Sequence, residues 1–193
     1  RAENLKAKFI LNSLHPKQIK IPKEVLLAAD KVWRDDLLTE NLVADIFPQR
    51  FPLVRGNILT HLNGAPLKVS GTVDIEKKTS NLDIISWVDI DDLALHPLLN
   101  ESSLIKDLSF NEPPRIGIKA VLNEGFKLDH LDYTLDASQF TFRDIAIDRI
   151  TADGSFFPPY LFVDNADLEN SEYRISGSYK QNLIESDFRM LLK

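Results

Sequence analysis

The sequence predicts a mainly β protein, with a curled or sandwich-like antiparallel sheet of the β-groove type and one or two short helices. Residues from Tyr173 to Tyr179 alternate strictly, with Tyr173, Ile175 and Tyr179 on one side of a strand and polar residues on the other. Asn63-Gly64 stands between two alternating runs, which is the strongest short signal of a β-hairpin. Proline and glycine turns, such as Pro158-Pro159, separate further runs of this kind.

Composition restricts the function classes. The 193 residues carry a net charge of −6, which argues against a nucleic-acid partner, since such a partner needs a basic surface. Cysteine is absent, which excludes disulfides, thiolate metal sites and cysteine nucleophiles and is compatible with a periplasmic location. No apolar run is long enough for a transmembrane helix. The chain opens without an initiator methionine, so we expect it to be a piece of a longer protein.

The first half of the chain reads as strands, with one ambiguous segment. Segment 24–33 carries helix-start signals, Pro22 followed by Glu24, and taken alone it favours a helix. Its apolar residues also lie two apart, so a strand pair 24–33 and 37–47 fits equally well in a β-rich chain. Clear strand patterns follow in these runs: 53–62, 67–75 and 82–90.

The stretch 91–114 differs from its surroundings because its leucines follow no period of two. Ser102-Ser103 is a possible cap for a short helix that runs through Leu108. We therefore predict three parts, a first β module at 1–92, a crossover or helical connection at 93–114 and a second β module at 115–193. Within the second module, Gly154 is expected to break a strand and Asp164-Asn165 to form a turn.

Two octapeptides resemble each other position by position. Leu67 to Asp74 and Tyr173 to Lys180 share a Ser-Gly pair with apolar residues spaced around it. The similarity suggests that a strand module is duplicated. A glycine weakens a strand unless it marks a bulge or a close approach of backbones, so one of these is expected at Gly71 and at Gly177.

The sequence contains no recognisable catalytic or cofactor motif. No G-x-S-x-G, P-loop, G-x-G-x-x-G or HExxH pattern occurs, and the four histidines are not spaced as metal ligands. The carboxylates at 164–169 lack the glycine of an EF-hand loop. We therefore predict a protein that is not an enzyme, with no cofactor, no metal site and no catalytic residue.

Several strand patterns together resemble the AsmA-like family of bacterial envelope proteins. They are the run from Pro113-Pro114 through 115–120, 126–137, the run Phe140 to Ser155, Tyr173 to Tyr179, and Phe188 to Leu192. The resemblance implies a periplasmic location, a parent protein anchored in the inner membrane, and a curled sheet with an apolar concave face. It also implies a role in phospholipid transport towards the outer membrane and in outer-membrane biogenesis.

An apolar face of this kind is either an open groove or a closed core, and a period of two does not distinguish them. If it is a groove, the candidate lipid-facing residues are the apolar ones of the clearest strands: Phe140, Phe142, Ile145, Ile147, Tyr173, Ile175 and Tyr179. The alternative is a structural or protein-interaction β-sandwich of the cell envelope. A third class, carbohydrate binding or cleavage, would need paired carboxylates beside Trp33 or Trp87.

Overall fold

The computed structural model describes residues 1–11, 22–34, 37–62, 64–87, 108–143, 145–184 and 187–192. The predicted fold class is confirmed, because the described residues form almost entirely antiparallel β-sheet. They divide into two compact units. The first contains residues 1–85 and 120–128, and the second contains residues 86–119 and 129–193.

The first unit is built on long hairpins, and its strands lie in the order β1-β3-β4-β5-β6-β7, with β2 also on β3. Ala44 of β4 lies between Leu27 and Ile58 of its neighbours, and both Ala29 and Ala44 are buried. Where the register between β4 and β5 shifts, the buried Thr60 hydroxyl donates a 2.8 Å hydrogen bond to the Glu40 carbonyl oxygen. The strands have these bounds: β1 Ala2–Glu3, β2 Lys6–Ile10, β3 Glu24–Arg34, β4 Leu37–Arg50, β5 Leu53–Leu62, β6 Ala65–Asp74 and β7 Thr79–Trp87.

The second unit is dominated by a meander, β10-β11-β12-β13-β14, in which each strand pairs antiparallel with the next. Strand β9 lies beside β10, and β8 pairs with the end of β10. The strands have these bounds: β8 Leu108–Phe110, β9 Arg115–Asn123, β10 Lys127–Phe142, β11 Ile145–Phe157, β12 Tyr160–Glu169, β13 Arg174–Asn182 and β14 Asp187–Leu192.

The ambiguous segment 24–33 is a strand, so the helix signals at Pro22 and Glu24 are misleading. Residues of β3 pair with β4 on one side and with β1 and β2 on the other, for example Leu27 with both Ala44 and Ala7. The backbone hydrogen bonds to strands on both sides outweigh the local preference for a helix. That preference is only about a few tenths of a kcal/mol per residue. No helix occurs among the described residues. The predicted helix at 102–108 falls mostly outside them, and Leu108 begins strand β8.

Two predicted interruptions of the second module are also corrected. Strand β11 continues through Gly154, and β12 continues through Asp164 and Asn165. The register shifts at both places, between Asp153 and Gly154 and between Val163 and Ala166, as in a β-bulge. A β-bulge accommodates an extra residue while the strand continues. Residue types that favour turns therefore also occur within a strand, at a bulge.

Close approach of backbones explains both strand glycines of the repeated octapeptides. A Cβ atom at Gly71 would collide with the backbone of Asn81, and one at Gly177 would lie 2.6 Å from the Leu191 carbonyl oxygen. The expectation of a close approach is therefore confirmed at both positions. Both octapeptides lie in or next to strands, β6 and β13, and whether they descend from a duplication stays a prediction.

Candidate functional site

The meander of the second unit has one continuous apolar face. Residues directly opposite each other in an antiparallel ladder point to the same side of the sheet, so the registers define the face row by row. Its three rows, which we call the apolar face, are Ala137, Ile150, Leu168 and Ile175; Leu135, Ala152, Ala166, Gly177 and Leu192; and Tyr133, Gly154, Val163, Tyr179 and Met190.

The opposite face of the same strands is polar. One of its rows contains Ser138, Arg149, Glu169 and Arg174. Arg149 donates two hydrogen bonds to the Asp136 carboxylate, at 3.1 and 2.9 Å, and this contact holds the pKa of Asp136 below its usual value. Such alternation is typical of a sheet with one dry and one solvated side. The bulge at Val163 and Ala166 preserves it, because the register of the two strands is restored on the same faces.

Burial changes along the apolar face. Near β10, Ala137 belongs to a small core cluster with Phe140 and Ile147, packed against Phe110 and Leu168. Near β14, the face is uncovered, since Ile175 is 43%, Met190 58% and Leu192 66% exposed. An apolar depression of about 210 Å³ lies here and is lined by side chains such as Ile150, Leu168 and Ile175. Large apolar side chains exposed side by side are uncommon on soluble monomers and mark binding surfaces.

Four of the predicted lipid-facing residues lie near the buried end. Phe140 and Ile147 oppose each other and are each 5% exposed. The Phe140 ring stacks on Phe110 of β8 with a centroid distance of 4.9 Å. Phe142 opposes Ile145, and Phe142 packs on the cluster while Ile145 is exposed. A ligand can therefore reach Ile145 directly, whereas Phe140 and Ile147 belong to the core.

Residues that a strict period of two would separate meet in this core cluster. Ala137 and Phe140 are three residues apart, yet both belong to the core cluster. Gln139 between them has a positive φ of 52°, which departs from regular strand geometry. A strict count of two from Ala137 would have placed Phe140 on the polar face.

The other three predicted residues lie near the open end. Ile175 and Tyr179 are on the apolar face, opposite Leu168 and Val163. The Tyr179 hydroxyl donates a 2.9 Å hydrogen bond to the Gln181 side chain. Tyr173 precedes β13 in a tight turn, where its backbone NH donates to the Asn170 side-chain oxygen at 3.0 Å. Tyr173 is exposed and immediately precedes Arg174, the first residue of β13 that pairs with β12.

Sequence reasoning misses several residues of the open end. Asp164-Asn165 has the residue types of a turn, so the sequence does not place Val163 and Leu168 on one strand. Met190 and Leu192 lie in a short run without a clear alternation. The alternation of Leu131, Tyr133, Leu135 and Ala137 is visible in the sequence and identifies the matching part of β10. Once the bulge is recognised, the same period extends to β12.

Other groupings give no comparable site. The Nδ1 atom of His130 lies 2.8 Å from an oxygen of the Asp129 carboxylate, which accepts the hydrogen bond, and the His130 ring stacks on Phe157. Searched over the described part of the chain, no group of three histidine, aspartate or glutamate side chains could hold a metal ion. The two tryptophans lie near cations, with Arg1 5.3 Å from the Trp33 ring and Arg115 6.0 Å from the Trp87 ring. These contacts do not resemble the carboxylate pair of a glycosidase.

Compared with known proteins, the chain matches no family model, no curated protein sequence and no solved structure. Among the residues that the structure describes, no helix is both long and apolar enough to cross a bilayer. The most distinctive surface of the second unit is thus the apolar face, closed at β10 and open at β13 and β14. Such a surface can hold an apolar chain by removing it from water, and it does not require a reactive group.

Proposed function

We propose that the apolar face of the second unit binds the acyl chains of a phospholipid. The observation that carries this proposal is the group of exposed side chains Ile175, Met190 and Leu192 beside a depression lined almost only by apolar atoms. A face with one buried end and one open end gives a bound chain both a packed wall and a route of entry. The polar face on the other side keeps the sheet hydrated.

The expected energy is sufficient for transient binding. Each methylene removed from water contributes about 0.8 kcal/mol, so laying five of them on the face would contribute about 4 kcal/mol. Because the depression is shallow, part of each chain stays in contact with water and the gain is incomplete. A ligand held in this way dissociates readily, which suits a conducting surface better than a storage site.

On the same basis we propose that the chain is a segment of an AsmA-like envelope protein that is not an enzyme. Its surroundings would be the periplasm, its parent protein would be anchored in the inner membrane, and its role would be phospholipid transport in outer-membrane biogenesis. The support is the set of strand patterns described above together with an antiparallel sheet that has one apolar face.

Native mass spectrometry of the purified protein, followed by organic extraction, tests the proposal. We expect phospholipid to accompany the wild-type chain and to be lost from Ile175→Asp, because the new carboxylate lies on the apolar face. Ser138→Asp is the matched control, since it adds the same charge on the polar face opposite Arg149. A lipid-free wild-type mass, together with no uptake of added fluorescent phospholipid, would refute the proposal.

A second candidate is a protein-interaction module that pairs through strand β14. Within the described chain β14 pairs only with β13, and Met190, Leu191 and Leu192 on it are exposed. An apolar edge strand is a template for strand addition by another chain. A shift of the purified protein to a dimer or a larger complex without lipid, abolished by Leu191→Pro, would favour this candidate.

A further inference from the structure

Two cations stand directly opposite each other on the polar face of the second unit. Lys180 of β13 pairs in register with Arg189 of β14, so both side chains project from the same side of the sheet. Like charges at directly opposed positions of an antiparallel pair destabilise it. The arrangement is therefore costly unless an anion lies between the two side chains.

The other arginines in the middle of this face are neutralised. Arg149 contacts the Asp136 carboxylate at 2.9 Å, and Arg174 contacts that of Asp167 at 3.3 Å. In the described part of the chain, neither Lys180 nor Arg189 forms an ion pair with a carboxylate. On this face, Arg149 and Arg174 therefore have carboxylate partners, whereas the described part of the chain provides none for Lys180 and Arg189.

Aromatic rings hold Lys180 in place. Its Nζ atom lies 4.9 Å from the centroid of the Phe162 ring and 5.4 Å from that of Tyr160. Attraction to a ring positions an ammonium group without neutralising its charge, so Lys180 keeps its full ability to bind an anion. Phe162 belongs to the same cross-strand row as Lys180 and Arg189.

These side chains border an open depression. It has a volume of about 510 Å³, and its lining includes Phe162, Asp164, Ser178, Lys180, Arg189 and Leu191 together with Val163, Tyr179 and Met190. The guanidinium group offers a planar pair of donors and the ammonium group a mobile one, and Ser178 adds a hydroxyl. This combination suits the tetrahedral oxygens of a phosphoryl group, while Asp164 on the rim disfavours a ligand with several negative charges.

We infer that Lys180 and Arg189 form a binding site for a phosphoryl group, with Phe162 as its apolar wall. The site lies on the face opposite the proposed acyl-chain surface and does not rest on that proposal. Its ligand is either the headgroup of an anionic phospholipid presented by a membrane or a free phosphate. Both present the same oxygens to the same two cations.

Two arms of one experiment distinguish the sources. In the first, the full chain is sedimented with vesicles of phosphatidylcholine that contain or lack phosphatidylglycerol. In the second, its melting temperature is measured in inorganic phosphate and in chloride of equal ionic strength. Whichever ligand gives a response, we expect its affinity to fall when Lys180→Gln is combined with Arg189→Gln. The expected loss is about 20- to 30-fold, which corresponds to roughly fivefold for each cation removed.

The matched control combines Arg149→Gln with Arg174→Gln, which changes the net charge equally on the same face. These arginines already have carboxylate partners, so binding should fall by less than about threefold if long-range charge is the only thing changed. A second control, Lys180→Arg, keeps the positive charge at this position and should retain binding. Circular dichroism of each variant verifies that the sheet is folded.

A dependence on phosphatidylglycerol that the double variant loses would identify the lipid headgroup as the ligand. Stabilisation by inorganic phosphate alone, lost in the same variant, would identify the free anion. The inference is overturned if neither arm responds in the wild-type protein, or if the control variant loses as much binding as the double variant. Inorganic phosphate has no acyl chain, so the second arm reports on Lys180 and Arg189 separately from any success or failure of the acyl-chain proposal.

Discussion

The Tyr133 hydroxyl donates a 2.9 Å hydrogen bond to the carbonyl oxygen of Phe162, two strands away in the second unit. Gly154 of β11 lies between them, directly opposite Tyr133 in the register. A Cβ atom at Gly154 would collide with the Phe162 carbonyl oxygen and lie 2.7 Å from the Tyr133 hydroxyl. The absence of a side chain at Gly154 therefore allows one tyrosine to link three strands next to the bulge in β12.

Replacing Tyr133 by phenylalanine removes this link and leaves the ring in place. We expect a loss of about 0.5–1.5 kcal/mol in the free energy of unfolding, the usual range for one hydrogen bond. Urea denaturation followed by circular dichroism measures the loss. Tyr160→Phe is the control because the Tyr160 ring is 40% exposed, and an equal loss there would contradict the role assigned to the Tyr133 hydroxyl.

The stability contributed by Tyr133 should decrease at alkaline pH. Burial, and then the charges of Asp164 and Asp153, raise the pKa of Tyr133 above its usual value. Because the folded state favours the protonated phenol, this contribution is complete below about pH 10 and is lost as the pH rises through the folded pKa. The difference in unfolding free energy between wild type and Tyr133→Phe should therefore stay constant up to about pH 10 and shrink at higher pH. A constant difference across that range would be inconsistent with this account.

Gly154→Ala should destabilise the second unit by about 1–3 kcal/mol, because the added methyl group forces the backbone of β12 to move. The proper comparison is Gly56→Ala in the first unit, where the nearest backbone atom, the Asp45 carbonyl oxygen, would lie 3.3 Å from the new Cβ. We expect the Gly56 variant to lose less, by chemical denaturation. Equal losses would mean that glycine entropy alone, rather than close approach, explains Gly154.

Ile147 and Ile175 should respond differently to an aspartate. Ile147 is 5% exposed within the core cluster, so Ile147→Asp leaves a buried charge without a partner and should cost about 3–5 kcal/mol of stability. Ile175 is partly exposed, and Ile175→Asp should cost about 1 kcal/mol and leave the sheet folded. Thermal unfolding by circular dichroism measures both. Similar losses would show that the apolar face is closed at both ends in solution.

Much of the fold could be predicted from the sequence, because the period of two is a direct consequence of strand geometry. Gly64 lies between β5 and β6, and Pro158-Pro159 joins β11 to β12. These turns need particular backbone angles, as shown by the positive φ of 89° at Gly64, so their residue types are informative. Local chemistry and tertiary structure agree at such places.

The errors arise where tertiary pairing overrides local preference. Segment 24–33 has helix-start residues and becomes a strand because it has paired neighbours on both sides. Asp164 and Asn165 have the residue types of a turn, but in the structure they lie at a bulge, and strand β12 continues through them. Ala137 and Phe140 belong to one core cluster although they are three residues apart, which a period of two does not predict.

The sequence pattern points to some residues of the candidate site, such as Ile175 and Tyr179, but it does not indicate which apolar side chains are buried. Ile147 and Ile175 have the same chemistry and the same strand pattern, and only the neighbouring strands decide which of them is covered. Strand β8, with Phe110 stacked on Phe140, helps to close one end of the face. At the other end of the face, β14 has no strand on its outer side among the described strands.

Photo-crosslinking tests the central claim most directly. A benzophenone side chain is introduced in place of Ile175 on the apolar face, or of Ser138 on the polar face, and the protein is irradiated with radiolabelled phospholipid. We predict a strong lipid adduct at position 175 and little or none at position 138. Equal labelling at the two positions, or no labelling at position 175 in folded protein, would contradict the assignment of the apolar face as the acyl-chain site.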